Sequence, residues 1–366
     1  MFRPFSQLRE PYAFIRQFTP NWFTLNMGTG ILFMMVLAFP FQFDGQRTIA
    51  VSIFYLDIFL FFVNIVLFAA RMAFFRETVA PMLHHPIQSM FLGAIPMGLV
   101  PIINGLVLLG DGHWDRVATV LWWFDAMCAF GVALLVPYYM FTRQMHAIEN
   151  MTAVWLLPIV APEVVASSAG VVAPHLSPYW AQLMIAAGYV LWAVSLPLAF
   201  IIISLLFLRL VIHKLPSADM AATCWLPLGP IGTGSLGLLV LGDVAPHAFA
   251  GTVFLPVAVL ARDAGLLGGL LLWGLGLWWL GAALLFTRRY LYQPLPFNMG
   301  WWGFTFPLGV YTAATLALGR LTQFFPFVLF GSVLAIALAL VWLVVARHTV
   351  RGIWHGNLFH APCLTK

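Results

Sequence analysis

Three acidic side chains lie inside long apolar stretches of this 366-residue chain: Asp57, Asp125 and Glu163. Hydrocarbon does not solvate a carboxylate, so each of these groups must be hydrogen-bonded, paired or protonated. Glu163 directly follows Pro162, where an interrupted helix would leave backbone groups free to hydrogen-bond. A carboxyl at that position can carry a proton, or it can be held by partners as a structural group. The residues alone leave both roles open.

Other reactive side chains give little sign of catalysis. The ten histidines lie at or beyond the ends of the apolar stretches, which argues against a haem or other cofactor held between helices, and against a metal site. Cys128, Cys224 and Cys363 are far apart and form no paired motif. Phosphate-binding loops, hydrolase motifs and zinc motifs are absent from the sequence. The chain therefore does not resemble an enzyme or an ATP-driven pump.

The elements that carry these residues belong in a membrane. Hydrophobic residues make up 62% of the chain and charged residues only 8%, which no soluble core of this size could accommodate. About 20 helical residues cross a bilayer core of about 30 Å. We predict an all-α polytopic membrane protein with ten transmembrane helices, at 21–40, 48–70, 87–110, 117–141, 152–172, 178–212, 220–241, 264–287, 299–319 and 321–346.

Proline and glycine are concentrated in five of the ten segments, mostly the odd-numbered ones. The third segment contains Gly93, Pro96, Gly98, Pro101 and Gly105, whereas the second contains neither residue type. A carbonyl group freed by proline cannot face lipid, so an interrupted helix must lie within protein or beside water. We therefore expect the odd-numbered helices to surround a central path and the straighter helices to lie outside them.

The distribution of cations predicts the orientation. Ten crossings place both termini on one side, and 13 of the 17 Lys and Arg residues fall on that side, which the positive-inside rule assigns to the cytoplasm. The net charge of +5 thus reflects topology and gives no reason to expect nucleic acid as a partner. Residues 1–366 are predicted to form a single membrane domain with cytoplasmic tails at 1–20 and 347–366. Residues 247–262 are expected to form an extracytoplasmic interfacial or re-entrant helix.

Several segments resemble a known family when taken in order. They are NWFTLNMGTG (21–30), HHPIQSMFLGAIPMG (84–98), WLLPIVAPEVVASSAG (155–170), LPLGPIGTGSLGLL (226–239), LLLWGLGLWWLGAALL (270–285) and WWGFTFPLGVY (301–311). The chain resembles the tellurite-resistance/dicarboxylate transporter family, which includes malate and sulfite permeases and plant slow anion channels. The resemblance implies five helical hairpins around a pore formed by the odd-numbered helices, and a homotrimer.

The resemblance also implies a gate. In this family a phenylalanine on the ninth helix closes the pore, and the matching run here is FTFP, which makes Phe306 the first candidate and Phe304 the second. A flat apolar ring in a narrow pore excludes both water and ions, and its rotation can open the path. Packing against a neighbouring helix is the alternative explanation for either ring.

Anion preference requires positive potential without a deep binding site. Amides and helix ends freed at interrupting prolines can supply it, and glycines can bring the backbone close to the path or to a neighbouring helix. The candidate pore-lining or kink residues are Gly28, Gly30, Pro96, Pro101, Pro158, Pro162, Pro227, Pro230, Gly232, Gly234 and Pro307.

The sequence thus predicts transport of small anions, such as sulfite, malate, tellurite, chloride or nitrate, across the cytoplasmic membrane through a phenylalanine-gated pore. A proton-coupled carrier that uses Glu163 is the alternative, and a membrane enzyme or receptor without transport is a remote one. A carrier would couple flux to a pH gradient, whereas a channel would not.

Overall fold

The computed structural model describes residues 12–292 and 294–364, and these fold into helices joined by short turns. Arg3, Arg9 and Lys366, which contribute to the predicted orientation, lie outside the described residues. The twelve α-helices in the described part are α1 Ala13–Arg16, α2 Thr24–Leu37, α3 Gln46–Phe74, α4 Val79–His84, α5 Ala94–Leu109, α6 Asp115–Thr142, α7 Leu156–Val172, α8 Pro178–His213, α9 Leu228–Ala248, α10 Leu255–Tyr290, α11 Thr305–Thr322 and α12 Phe325–His355.

Each of the ten longer helices overlaps one of the ten predicted segments, although several helix ends differ from the predicted ends. Within the described ranges, eight helical stretches are long and apolar enough to cross a membrane, and they contain α3, α5, α6, α7, α8, α9, α10 and α12. The protein is therefore a multi-pass all-α membrane protein. These eight stretches do not include α2, which has 14 residues, or α11, which has 18.

Five helices form an inner ring. In the order α2, α5, α7, α9 and α11, each packs against the next, and α11 returns to α2. The outer helices α3, α6, α8, α10 and α12 each pack against the inner helix that precedes them and the one that follows, with α12 returning to α2. The apolar windows that contain α5, α7 and α9 are 67 to 89% buried, against 22 to 33% for the outer helices. This difference agrees with the predicted separation of interrupted inner helices from straighter outer ones.

Four outer helices each carry a tryptophan that hydrogen-bonds to an inner helix and so holds the outer helix against the inner ring. The indole N–H of Trp122 donates to the carbonyl of Val165, and that of Trp192 donates to the carbonyl of Gly234, both at 3.1 Å. Trp273 and Trp342 make corresponding bonds to threonine hydroxyls on α11 and α2. The apolar ring packs between helices while its polar N–H finds a partner, as buried indoles require.

Every inner helix begins with a 3-10 turn. These turns are Pro20–Phe23, Ser89–Gly93, Ala153–Trp155, Ala218–Trp225 and Met299–Phe304. The third residue of the α-helix that follows is proline in four of the five: Pro96, Pro158, Pro230 and Pro307. Proline is accepted in a first turn because the missing N–H would have no intrahelical partner there.

The prolines expected to interrupt helices therefore divide into two groups. Pro101 and Pro162 lie inside α5 and α7. The other five lie at the junction between a 3-10 turn and an α-helix, where they help to start the helix, and Pro227 is the residue just before α9. Sequence reasoning could not separate the groups because it lacked the helix start points.

The expectation for residues 247–262 was wrong. Helix α9 continues to Ala248, and Leu255 already begins α10, a single helix of 36 residues. At 1.5 Å per residue this helix is about 54 Å long, so it extends well beyond a bilayer core of about 30 Å. Arg262 and Asp263 are exposed and lie 3.3 Å apart. The first turns of α10 thus lie where charged side chains can be solvated, and no separate interfacial helix is needed.

Candidate functional site

The beginnings of the five inner helices line one cavity, here called the axial cavity, which is partly open to solvent. Each inner helix contributes residues of its first turns to the lining, among them Met27, Met97, Val160, Pro230 and Phe306. Residues of four of the 3-10 turns also line the cavity. Because all five inner helices run in the same direction, their N-termini surround this single space.

The wall of the axial cavity is apolar and carries no charged side chain among the described residues. Its two hydroxyl side chains, Thr24 and Thr223, donate to carbonyls of their own turns, at 2.6 Å to Asn21 and 2.7 Å to Met220. Five helix N-termini each contribute a partial positive charge. The cavity can therefore attract an anion weakly, without an ion pair that would hold it.

The two candidate gate residues occupy different places. Phe306 is buried, with 5% of its surface exposed, and lines the axial cavity beside Trp302 and Pro307. Phe304 is not among the residues that line it, and packs edge-on against Trp225 and Trp301 with ring centroids 5.9 Å apart in each case. Of these two candidate rings, only Phe306 lines the axial cavity.

The candidate glycines lie against neighbouring helices. A Cβ at Gly28 would lie 2.3 Å from the Thr305 hydroxyl, and one at Gly30 would lie 2.3 Å from Cβ of Pro101. Gly232 similarly faces the Tyr311 backbone, and Gly234 faces Leu196. These glycines set the spacing between helices in the ring.

Of the candidate prolines, Pro230 and Pro307 line the axial cavity. The described lining does not include Pro96, Pro101, Pro158, Pro162 or Pro227, although neighbours of several of them contribute to it.

Glu163 is fully buried and is absent from the described lining of the axial cavity. The Thr233 hydroxyl on α9 lies 2.6 Å from its Oε1, and the Ser195 hydroxyl on α8 lies 3.0 Å from its Oε2. The carboxyl group thus links three helices through two hydroxyl groups.

Asp57 and Asp125 are buried on the outer helices α3 and α6. The side-chain amide of Asn26 donates to Asp57 at 2.9 Å, and Asn26 in turn accepts from Asn64 at 2.8 Å. The second carboxyl oxygen of each aspartate has no hydrogen-bond partner among the described residues. Neither aspartate forms an ion pair with a described cation within 4.0 Å.

Sequence reasoning missed Met27, Met97 and Trp302 as lining residues. The triplets Pro96-Met97-Gly98, Pro230-Ile231-Gly232 and Pro307-Leu308-Gly309 repeat one pattern at the start of three inner helices, and they indicate that these helices begin alike. They do not show which side chains line the cavity, since Met97 does but Ile231 and Leu308 do not.

A ring of membrane helices around an apolar axial cavity is an architecture typical of channels and transporters. The family described as SLAC1, voltage-dependent anion channel, matches residues 17–350, and the chain belongs to this family. The resemblance to the tellurite-resistance/dicarboxylate transporters is thereby confirmed, and the chain is a member of an anion transporter family and not an enzyme.

Curated relatives extend the comparison. The chain is 40% identical over 350 residues to a sulfite efflux pump SSU1 of Arthroderma otae, with 93% of this chain and 92% of the relative covered. It is 24% identical over 366 residues to a malic acid transport protein of Schizosaccharomyces pombe, covering 94% and 80% of the two chains. A sulfite efflux pump SSU1 of Saccharomyces cerevisiae is 27% identical over 372 residues, with 84% and 79% covered.

Proposed function

We propose that this protein conducts small anions, with sulfite as the principal substrate, through the axial cavity, and that the Phe306 ring is its gate. The observation that carries the proposal is the position of the buried Phe306 ring in the lining of a cavity formed by five helix N-termini. A ring at a narrow apolar constriction blocks both ions and water until it rotates.

The pathway requires that the ring of helices spans the membrane. We propose that α2 and α11 cross together with the eight longer stretches, as five hairpins with both termini in the cytoplasm. The inner helices then begin on the cytoplasmic side, so their positive ends face anions arriving from the cytoplasm. This polarity suits export across the cytoplasmic membrane.

Sulfite is favoured as substrate by the 40% identity to a sulfite efflux pump over nearly the whole length of both chains. The weaker similarity to a malic acid transport protein makes a dicarboxylate the second candidate. The lining residues include no arginine that could bind a carboxylate or sulfite in a bidentate manner. Size and charge should therefore govern which anions pass.

A channel is favoured over a proton-coupled carrier by the position of Glu163. A coupling carboxyl must exchange its proton with the transported path, whereas Glu163 is bonded to Ser195 and Thr233 and does not contribute to the lining of the axial cavity. Flux should follow voltage and concentration and should be independent of a pH gradient.

Purified protein in proteoliposomes tests the proposed function. Uptake of sulfite, chloride, nitrate and malate is compared for the wild type and Phe306→Ala, with protein-free liposomes as the blank. We expect sulfite and chloride flux above the blank, larger in Phe306→Ala, and unchanged by an imposed pH gradient. Flux at the level of the blank in both proteins would contradict the proposal, and flux that requires a proton gradient would favour the carrier.

The family resemblance also leads us to propose a homotrimer, in which each protomer has its own path. The outer helices present many exposed apolar side chains, which suit either lipid or a second protomer. Mass measurement of the protein in nanodiscs should give three copies of a 40.7 kDa chain, and a single copy would contradict this.

A further inference from the structure

Arg209 is a buried cation next to the loops that begin α7 and α9. It lies near the C-terminal end of α8 and has 5% of its surface exposed. Its Nε and Nη2 donate to the backbone carbonyl of Glu149 at 3.2 and 2.7 Å, and its Nη1 donates to that of Lys214 at 2.5 Å. These three bonds leave two of the five guanidinium N–H groups uncommitted.

No carboxylate of a described residue neutralises this charge. Within the described ranges Arg209 forms no ion pair at 4.0 Å or less. Glu149 contacts it only through the backbone, and both Glu149 and Asp219 in the neighbouring loop are exposed to solvent. Arginine stays protonated in proteins. An unpaired buried charge is costly, and its field extends into the spaces beside it because little solvent screens it.

The pocket that Arg209 lines adjoins the axial cavity. Arg209, Thr152 and Thr223 line a small pocket between α8 and the beginnings of α7 and α9, and Thr223 also lines the axial cavity. The Thr152 hydroxyl forms no hydrogen bond with any described residue, although Thr152 is only 8% exposed. The two spaces therefore share a wall at the end of the axial cavity formed by the 3-10 turns.

We propose that Arg209 is the residue that makes this end of the axial cavity select anions over cations. The inference rests on the proposed function and assigns its charge selectivity to one side chain. A buried charge acts through a low-dielectric wall and is screened by salt much less than an exposed one. Since Arg209 is held by backbone carbonyls, it raises the local anion concentration without entering the path as a binding site.

The test measures the anion-to-cation permeability ratio from the reversal potential across a salt gradient. It uses the wild type and Phe306→Ala backgrounds, so that a closed gate does not hide the effect. Arg209→Gln removes the charge and keeps donors for the carbonyls, whereas Arg209→Lys keeps the charge. We expect the ratio to fall about fivefold or more in Arg209→Gln and to stay within about twofold in Arg209→Lys.

A second pair of variants leaves the arginine in place. Thr152→Asp introduces a carboxylate into the pocket, and Thr152→Asn is its uncharged isostere. We expect the Asp variant to lower the permeability ratio as Arg209→Gln does, and the Asn variant to match the wild type. This pair retains the bonds to Glu149 and Lys214, so a loss of folding in the arginine variants does not remove the test.

The exposed cation Arg143 provides the control for surface charge. Arg143→Gln should change the ratio little, and any effect should vanish at high salt, whereas the Arg209→Gln effect should persist. Equal losses in Arg209→Gln and Arg209→Lys, or equal behaviour of Thr152→Asp and Thr152→Asn, would overturn the inference. Absence of anion flux from the wild type and from Phe306→Ala would instead contradict the proposed function.

Discussion

The Thr233 hydroxyl and the Glu163 carboxyl group are 2.6 Å apart and join α9 to α7 away from the described lining of the axial cavity. This bond places the most deeply buried acid of the inner helices in the framework of the ring. Ser195 completes the arrangement from the outer helix α8, at 3.0 Å. The chain therefore has a buried acid of the kind that proton-coupled carriers use, but in a position that suits helix packing.

Replacing Glu163 by Gln should leave transport nearly intact. The Gln oxygen can accept a hydrogen bond and its amide can donate to the other hydroxyl, so Ser195 and Thr233 keep partners. We expect sulfite flux in proteoliposomes within about twofold of the wild type, with and without a pH gradient. A wild-type flux that follows the pH gradient, together with loss of that response in Glu163→Gln, would show that Glu163 couples protons to transport.

The spacing between α2 and α11 should depend on Gly28. A Cβ there would lie 2.3 Å from the Thr305 hydroxyl and 2.5 Å from the Trp302 ring, so one of these side chains must move. We expect Gly28→Ala to destabilise the protein by about 1–3 kcal/mol, as overpacking does, and to lower its unfolding temperature in detergent.

Gly229→Ala is the matched control for this substitution. Gly229 is also helical and lines the axial cavity, but a Cβ there would meet no atom within 4 Å. Its unfolding temperature should equal or exceed that of the wild type, since alanine is the better helix former by about 1 kcal/mol. Equal destabilisation by both substitutions would show that close packing at Gly28 is not the cause.

The stability of the turn that leads into α5 should decrease in acid because of His85. Burial lowers the pKa of this half-buried imidazole below its usual value of 6.5. Its Nδ1 accepts from the amides of Ile87 and Gln88, at 3.1 and 3.2 Å, which requires that nitrogen to be unprotonated. The unfolded state binds a proton more readily, so the stabilisation is complete above pH 6.5 and declines as the pH falls below it.

The measurement is the unfolding temperature between pH 7.5 and 5.5. His85→Asn retains an acceptor without a titrating ring, so it should lose less stability in acid than the wild type. His84→Asn at the neighbouring exposed position should behave as the wild type does. The His146 ring, whose pKa is also lowered by burial, is unchanged in all three proteins. Identical pH profiles for the wild type and His85→Asn would contradict the role given to His85.

The sequence was sufficient to separate inner from outer helices, because proline and glycine are concentrated in the inner ones. A helix interrupted by proline has free backbone groups that cannot face lipid. Phe306 was singled out by the family resemblance, through the FTFP run, and not by the residues alone. The sequence could not show that Pro158 or Pro230 starts a helix instead of breaking one, since that depends on where the preceding 3-10 turn ends.

Burial of polar groups was the least predictable feature. In the sequence, Arg209 is one more cation at the end of an apolar segment. Only the structure shows that it is buried next to the loops that begin α7 and α9. The spacing gives a weak signal. On α3, a buried polar residue (Asp57) lies fourteen residues before a buried arginine (Arg71), and on α8 Ser195 lies fourteen residues before Arg209. The shared spacing suggests equivalent positions on the two helices, but it does not reveal which carbonyls the arginines bind.

The most direct test of the account compares Phe306→Ala with Phe304→Ala in the same proteoliposome flux assay. The two phenylalanines are two residues apart, yet only the Phe306 ring lines the axial cavity, while Phe304 packs against Trp225 and Trp301. We predict that Phe306→Ala raises sulfite flux about tenfold or more and that Phe304→Ala leaves it within about twofold of the wild type, a difference in barrier of at least about 1 kcal/mol. Equal flux in Phe306→Ala and the wild type, or a larger increase in Phe304→Ala, would contradict a gate formed by Phe306.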